Sequence, residues 1–173
     1  MPPSLLEEAT SPIRLHAARV LSRYRLAEAS DIQDDWKDYA GRHGHPPVFA
    51  YGDYNGDGES DLAFLLPLRM PSRPGDGFGL FCLLSQEDLS FRLLTIEEDE
   101  DSRVSALGLG TVRPGRHPTF CGLPGKPPPE CRGQPKDVAL QTDAIHLYAV
   151  EKSGAFYVWD AAKGKFQRVQ VAD

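Results

Sequence analysis

Apolar positions recur at helical spacing in the first quarter of this chain and at strand spacing after it. Ile13, Ala17, Val20, Leu21 and Tyr24 fall on one face of a 3.6-residue period. Ser11 can cap such a helix and Pro12 suits its first turn. A second helix is expected from Ser30 or Asp31. It has acids in its first turn, buries Ile32, Trp36 and Tyr39, and ends near Gly41 or Gly44. Residues 1–10 read as a loose end.

Past Pro46-Pro47 the pattern predicts strands. VFAYG (48–52) and DLAFLLPL (61–68) flank an acidic stretch, and GFGLFCLLS (77–85) and LSFRLLTI (89–96) form a hairpin across QED. EEDEDSR (97–103) reads as a solvated acidic turn in preference to a second metal site, SALGLGTV (105–112) as another strand, and 113–136 as a Pro/Gly-rich loop of a length associated with function or mobility. DVALQ (137–141), AIHLYAV (144–150), AFYVWD (155–160) and KFQRVQV (165–171) follow, separated by short turns. Phe166, Val169 and Val171 alternate imperfectly, which points to a bulge. The expected architecture is a single α+β domain over 1–173, with helices in 11–45, strands in 46–112, the long loop, and hairpins in 137–173. Its N-terminal helices lead into one antiparallel, meander-like sheet.

Composition supports the strands. With 16 Gly and 15 Pro in 173 residues the chain is rich in turns. A net charge of −6 argues against a nucleic-acid footprint, which needs clustered Lys and Arg, and suits basic partners or cations. No apolar run approaches the roughly 20 residues of a membrane helix, and the N-terminus lacks the n- and h-regions of a signal peptide. The chain as written is expected in the cytoplasm, or in the periplasm or medium if a leader has been trimmed. Cys82, within GLFCLL, reads as a buried hydrophobe. Cys121 and Cys131 flank CGLPGKPPPEC. They are either two free loop thiols or a disulfide closing the loop, and a disulfide implies an oxidising compartment.

The stretch DYNGDGESD (53–61) carries the candidate chemistry. Ca²⁺ takes six to eight oxygens at about 2.3–2.6 Å, and a short loop supplies them from alternate positions. Asp53, Asn55 and Asp57 occupy positions 1, 3 and 5, the Glu59 carbonyl position 7 and Asp61 position 9; Gly58 stands where the chain must turn sharply. No Lys or Arg occurs from His43 through Leu68, so the carboxylates repel one another unless a cation intervenes. All-oxygen donors disfavour soft metals, and the number of carboxylates favours Ca²⁺ over Mg²⁺. An EF-hand would place a bidentate Glu where Phe64 stands, and helices where strands are expected.

GDYNGDGESDLAFLL resembles the FG-GAP or VCBS-type calcium loop, D-x-N-x-D-G-x-x-D-[LFY]-A, through Asp53, Asn55, Asp57, Gly58, Asp61 and Leu62. The resemblance covers about residues 48–66. It implies a Ca²⁺ loop joining two antiparallel strands, in a domain that serves interactions. Tyr157, Trp159, Asp160 and Phe166 follow a YxWD-K/R-F pattern similar to small bacterial proteins with one such loop, some of which resemble inhibitors or immunity proteins.

Catalytic signals are weak. His43 and His45 precede the loop but sit in a helix exit, while His16, His117 and His146 each stand alone; no Ser occupies a G-x-S-x-G turn, and Cys82 has no evident base. No catalytic residue is assigned. Tyr148, Tyr157 and Trp159 are candidate partner-binding anchors, each with a core position as the alternative. The expected function is a calcium-binding, protein-interaction domain that neutralises a bacterial toxin or enzyme. A metal-dependent hydrolase and a carbohydrate or cell-surface binding module are the alternatives.

Overall fold

A computed structural model describes residues 18–27, 31, 48–71, 73, 76–86, 90–122, 131, 135–149 and 154–171. The apolar runs after Pro47 become strands: β1 (Phe49–Gly52), β2 (Asp61–Pro67), β3 (Asp76–Ser85), β4 (Phe91–Arg103), β5 (Leu107–Val112), β6 (Gly115–Pro118), β7 (Asp137–Leu140), β8 (Ala144–Ala149), β9 (Gly154–Asp160) and β10 (Lys165–Val171). They pair antiparallel as two four-stranded sheets, β1-β2-β3-β4 and β10-β9-β8-β5, and one ribbon, β6-β7.

Side-chain alternation shows how the layers stack. From the first sheet Ala63, Leu65, Leu80, Cys82 and Leu84 face inward; from the second Leu109, Ile145, Leu147, Ala155 and Tyr157 meet them in one core. The opposite face of the first sheet buries Phe64, Leu66 and Phe81 beneath Tyr24, Leu21 and Val20. Tyr24 packs edge-on to Phe81 at 5.0 Å. A Cβ on Gly79 would stand 2.5 Å from the Phe81 ring and 2.8 Å from Tyr24, so only glycine fits there. The outer face of the second sheet, with Ala144, Phe156 and Val171, is covered by Val138 and Leu140 of the ribbon. DLAFLLP is apolar throughout because β2 is buried on both faces.

The α+β expectation is overturned: among the described residues the protein is mostly antiparallel β-sheet, with one short helix. The helical stripe has a packing role nonetheless. Residues 18–21 are helical, and Val20, Leu21 and Tyr24 lie on the first sheet, whereas Ile13 and Ala17 lie outside the described residues. So do Ile32, Trp36 and Tyr39 of the second expected helix. The single meander is also corrected, since only the first sheet has meander order.

Three local expectations change. Residues 97–103 are not a turn but continue β4. The acids sit on a strand because they have partners on both faces: Glu97 accepts the Tyr157 hydroxyl and pairs with Arg168 at 3.6 Å, while Glu98 and Glu100 pair with Arg23 at 3.3 and 3.1 Å. The loop 113–136 contains β6 and a 3-10 turn, Phe120–Gly122. The pairing of β10 with β9 runs unbroken from Lys165↔Asp160 to Val171↔Gly154, so there is no bulge there. Phe166 joins the inter-sheet core while Val169 and Val171 face the ribbon, which explains the imperfect alternation. Irregularity falls in β3–β4 instead, where Leu80↔Glu97 is followed by Phe81↔Thr95 and Ile96 is the extra residue.

Candidate functional site

The Gly52↔Asp61 pair closes a hairpin whose connection is the acidic loop, residues 53–60. Its alternate polar side chains fold back on backbone amides ahead of them, the habit of Asp and Asn in turns. Asp53 accepts from Gly56 N (2.8 Å) and Gly58 N (3.0 Å) through its two carboxylate oxygens. Asn55 Oδ1 accepts from Asp57 N at 3.0 Å, and Asp57 Oδ1 from Glu59 N at 2.8 Å. Asn55 Nδ2 donates to Asp57 Oδ2 at 2.8 Å, bringing these two side chains together. The winding needs left-handed backbone at Gly56 (φ 81°) and Gly58 (φ 87°). A Cβ on Gly56 would in addition meet Thr142 Cγ2 at 2.7 Å.

Tyr54 points the other way and is fully buried. Its hydroxyl lies 2.8 Å from Thr111 Oγ1, which donates to the Tyr51 carbonyl at 2.8 Å. Burial raises the Tyr54 phenol well above its ordinary pKa. Asp61 is the other buried member, 1% exposed. Tyr54 N and Ser85 N each donate to one of its carboxylate oxygens at 2.9 Å. Desolvation by burial still raises its pKa; the two amides work against the rise and the neighbouring Asp57 charge adds to it.

The loop also docks on the second sheet. Asp53 N donates to Asp143 Oδ2 (3.1 Å), Asp143 N donates to Asp53 O (3.2 Å), and Thr142 Oγ1 donates to Tyr54 O (3.0 Å). Asp143 is itself buried, and the same Oδ2 accepts Arg113 Nη1 at 2.7 Å. Gly52 makes room for this junction, since a Cβ there would lie 2.8 Å from Asp143 Oδ2.

The five expected ligand residues thus share one loop with graded exposure: Asp57 and Glu59 exposed, Asp53 and Asn55 half-buried, Asp61 buried. They are not drawn into a tight group. Among the described residues no three His, Cys, Asp or Glu side chains converge closely enough to hold a metal ion. The donor atoms of the loop are nonetheless of the kind a hard cation takes. They are all oxygen, and each carboxylate keeps acceptor capacity beyond the amide it holds.

The other candidates separate. Tyr157 is a core residue, 2% exposed, with its hydroxyl on Glu97, so it is no surface anchor. Trp159 packs on the inter-sheet core, edge-on to Phe166 at 5.2 Å. Tyr148 is half-buried, its ring 4.9 Å from His146. Cys121 and Cys131 form a disulfide, and Cys82 is free and buried, its thiol pKa pushed up by desolvation. His43 and His45 lie outside the described residues. His117 stands on β6 with its ring 5.7 Å from Phe156, and His146 stands on β8. Sequence reasoning missed Tyr54, Thr111, Arg113, Thr142 and Asp143. Alternation could have found Tyr54, because side chains at 53, 55 and 57 turned toward one another leave 54 facing the core.

No helix among the described residues is long and apolar enough to cross a membrane. No family model, curated protein or solved structure matches this chain.

Proposed function

We propose that this protein is a calcium-stabilised β domain whose work is to bind another protein, as an inhibitor or immunity protein does against a toxin or enzyme. The side chains of Asp53, Asn55, Asp57 and Asp61, with the Glu59 carbonyl, would hold the ion. The observation that carries the calcium reading is Asp61: a buried carboxylate held by two backbone amides, with a second carboxylate adding to its charge burden. A divalent cation removes that burden and neutralises the loop in the folded state only, so its binding energy becomes folding energy. The ion's chemistry here is charge neutralisation.

Acidic net charge and the exposed Tyr51, on β1 beside the loop, favour a basic protein partner met through aromatic anchors. The Cys121–Cys131 disulfide supports an oxidising compartment, periplasmic or secreted, where calcium at millimolar levels fills even weak sites.

Melting in saturating Ca²⁺ and in chelator tests the calcium reading. At 100 times Kd the ion contributes about 2.7 kcal/mol. For a chain of this size that raises Tm by roughly 5–10 °C, and Asp57→Ala removes the difference. Superimposable melting curves across a saturating range reject the ion. For the partner, the purified product of the neighbouring gene is titrated against this protein; failure to form a complex counts against the immunity role.

A further inference from the structure

Asn55 is the only asparagine in the 173-residue chain, and Gly56 follows it. Asparagine is thermolabile, most of all before glycine, which has no Cβ to hold its amide nitrogen away from the neighbouring side-chain carbonyl. In the reaction the Gly56 nitrogen gives its proton to water and bonds to Asn55 Cγ. The Cγ–Nδ2 bond breaks, and ammonia leaves with a proton returned by water. Water then adds to either carbonyl of the resulting succinimide ring and opens it, to aspartate or to isoaspartate. Water is the only co-reactant, and it has access: Asn55 is half-buried and Gly56 exposed.

The folded loop opposes each part of this step. Gly56 N donates to Asp53 Oδ1 at 2.8 Å, and a hydrogen bond from the protonated form favours keeping that proton. The amide under attack is held at both of its polar atoms. Asn55 Oδ1 accepts from Asp57 N at 3.0 Å, and Asn55 Nδ2 donates to Asp57 Oδ2 at 2.8 Å. Turning Cγ toward the attacking nitrogen breaks both bonds. Either product leaves the loop harder to close. In aspartate an anionic oxygen replaces Nδ2 beside Asp57 Oδ2, so like charges meet. Isoaspartate adds a methylene to the main chain, which upsets the alternation that turns 53, 55 and 57 together and buries Tyr54.

We propose that Asn55 is a modification site, converted to aspartate and isoaspartate by its own Gly56 nitrogen, and that Asp53 is the positioning residue that slows the conversion in the folded protein. The proposal goes beyond the calcium reading and needs no ion. Conversion is one-way, so it sets a lifetime for the closed loop and for its junction with Thr142 and Asp143.

Peptide mapping by mass spectrometry during long incubation at neutral pH tests this, with chelator throughout so that no ion contributes. The amide-to-acid mass gain is localised to the peptide holding Asn55, and chromatography separates the isoaspartate form. The chain unfolded in urea gives the unprotected rate. The folded protein should convert at least about tenfold more slowly, as expected when reaction waits on local opening. Asp53→Ala should bring the folded rate to within about threefold of the unprotected one. If that variant does not fold, Asp53→Ser serves in its place and should speed conversion about threefold or more. Thr142→Val loosens the loop's dock on the Tyr54 carbonyl without touching the Asn55 and Gly56 bonds, and should stay within about twofold of the natural protein. No mass gain at Asn55 in the unfolded chain overturns the site. Equal rates in the folded and unfolded natural protein overturn the protection. Equal acceleration in the Asp53 and Thr142 variants shows that general loosening sets the rate, and rejects the role given to Asp53.

Discussion

Asp61 sets charge against burial more sharply than any other described carboxylate, and the conflict has a pH signature. Desolvation raises its pKa above the ordinary value, so the folded state keeps a proton that the unfolded chain releases. From about pH 4 up to the raised folded value, the folded protein binds more protons, and the slope of stability against pH is negative. Its contribution is fully present below the unfolded pKa and is lost as pH rises through the folded one. Asp99 and Asp160, whose pKa values are lowered chiefly by hydrogen bonds from Ser102 and Lys163, act in the opposite sense and below about pH 4, where their stabilisation is lost as pH falls. The Asp61 part is isolated by difference. In chelator, urea midpoints of the natural protein and of Asp61→Asn should converge as pH rises from 4 to 7, and parallel profiles would sink the argument. Asn can accept from only one of the Tyr54 and Ser85 amides, so the variant is also less stable, by about 1–3 kcal/mol at acid pH. Tyr54→Phe gives a second residue-level test. It deletes only the hydroxyl contact with Thr111, which keeps its bond to Tyr51, and should cost about 0.5–1.5 kcal/mol by urea denaturation. A loss of several kcal/mol would mean that the hydroxyl anchors more than itself. At this scale legibility follows sequence distance. Asp53, Asn55, Asp57 and Gly58 declare themselves because a short loop's spacing is local. Asp143 reaches Asp53 across 90 residues and looked like any turn acid.

Elements divide by whether their partners are near in sequence. The Cys121–Cys131 disulfide belongs to the ribbon: Thr119 N donates to Lys136 O at 2.8 Å and Gly122 N to Thr119 O at 2.9 Å, so the bridge closes the end of β6-β7. Replacing both cysteines by serine should cost about 2–3 kcal/mol for a loop of this length. The loss should appear first as faster exchange of Val138 and Leu140, while β3 amides keep their rates under native conditions. Uniform acceleration throughout both sheets would place the bridge in the global unfolding unit instead. The strands themselves were legible, because runs such as DLAFLLP and AFYVWD and the turns between them carry their own signals. What misled was burial that only tertiary structure reveals. EEDEDSR resembles a solvated turn until Arg23, Tyr157 and Arg168 arrive from distant segments, and KFQRVQV resembles a bulged strand until Phe166 is seen packed on one face and Val169 and Val171 on the other. The stripe from Val20 to Tyr24 was correctly apolar, yet helical spacing cannot say how much of a fold is helix.

Across the described residues, the two four-stranded sheets share a core that holds Leu65, Leu80, Ile145 and Tyr157, with further apolar layers outside each sheet. No local pattern distinguishes one sheet from two, because sheet membership is decided by which strands pair. β5 pairs with β8 across the intervening ribbon, and that choice divides the strands. The acidic loop lies where the sheets are cross-linked, through Tyr54 to Thr111 and Asp53 to Asp143. A cation there should therefore stabilise both sheets together. Trp159 stands on β9 in the second sheet, far along the chain from the loop, and reports that sheet once Trp36 is replaced by Phe. Thermal unfolding followed by Trp159 fluorescence and by far-ultraviolet circular dichroism should give one coincident transition, as a two-state unit does. Calcium should move both signals up by the same amount. A circular-dichroism transition that rises with calcium while the Trp159 transition stays in place would show that the sheets unfold separately. The ion would then brace the β1–β2 hairpin alone, and the cross-sheet contacts of Asp143 and Tyr54 would be passive.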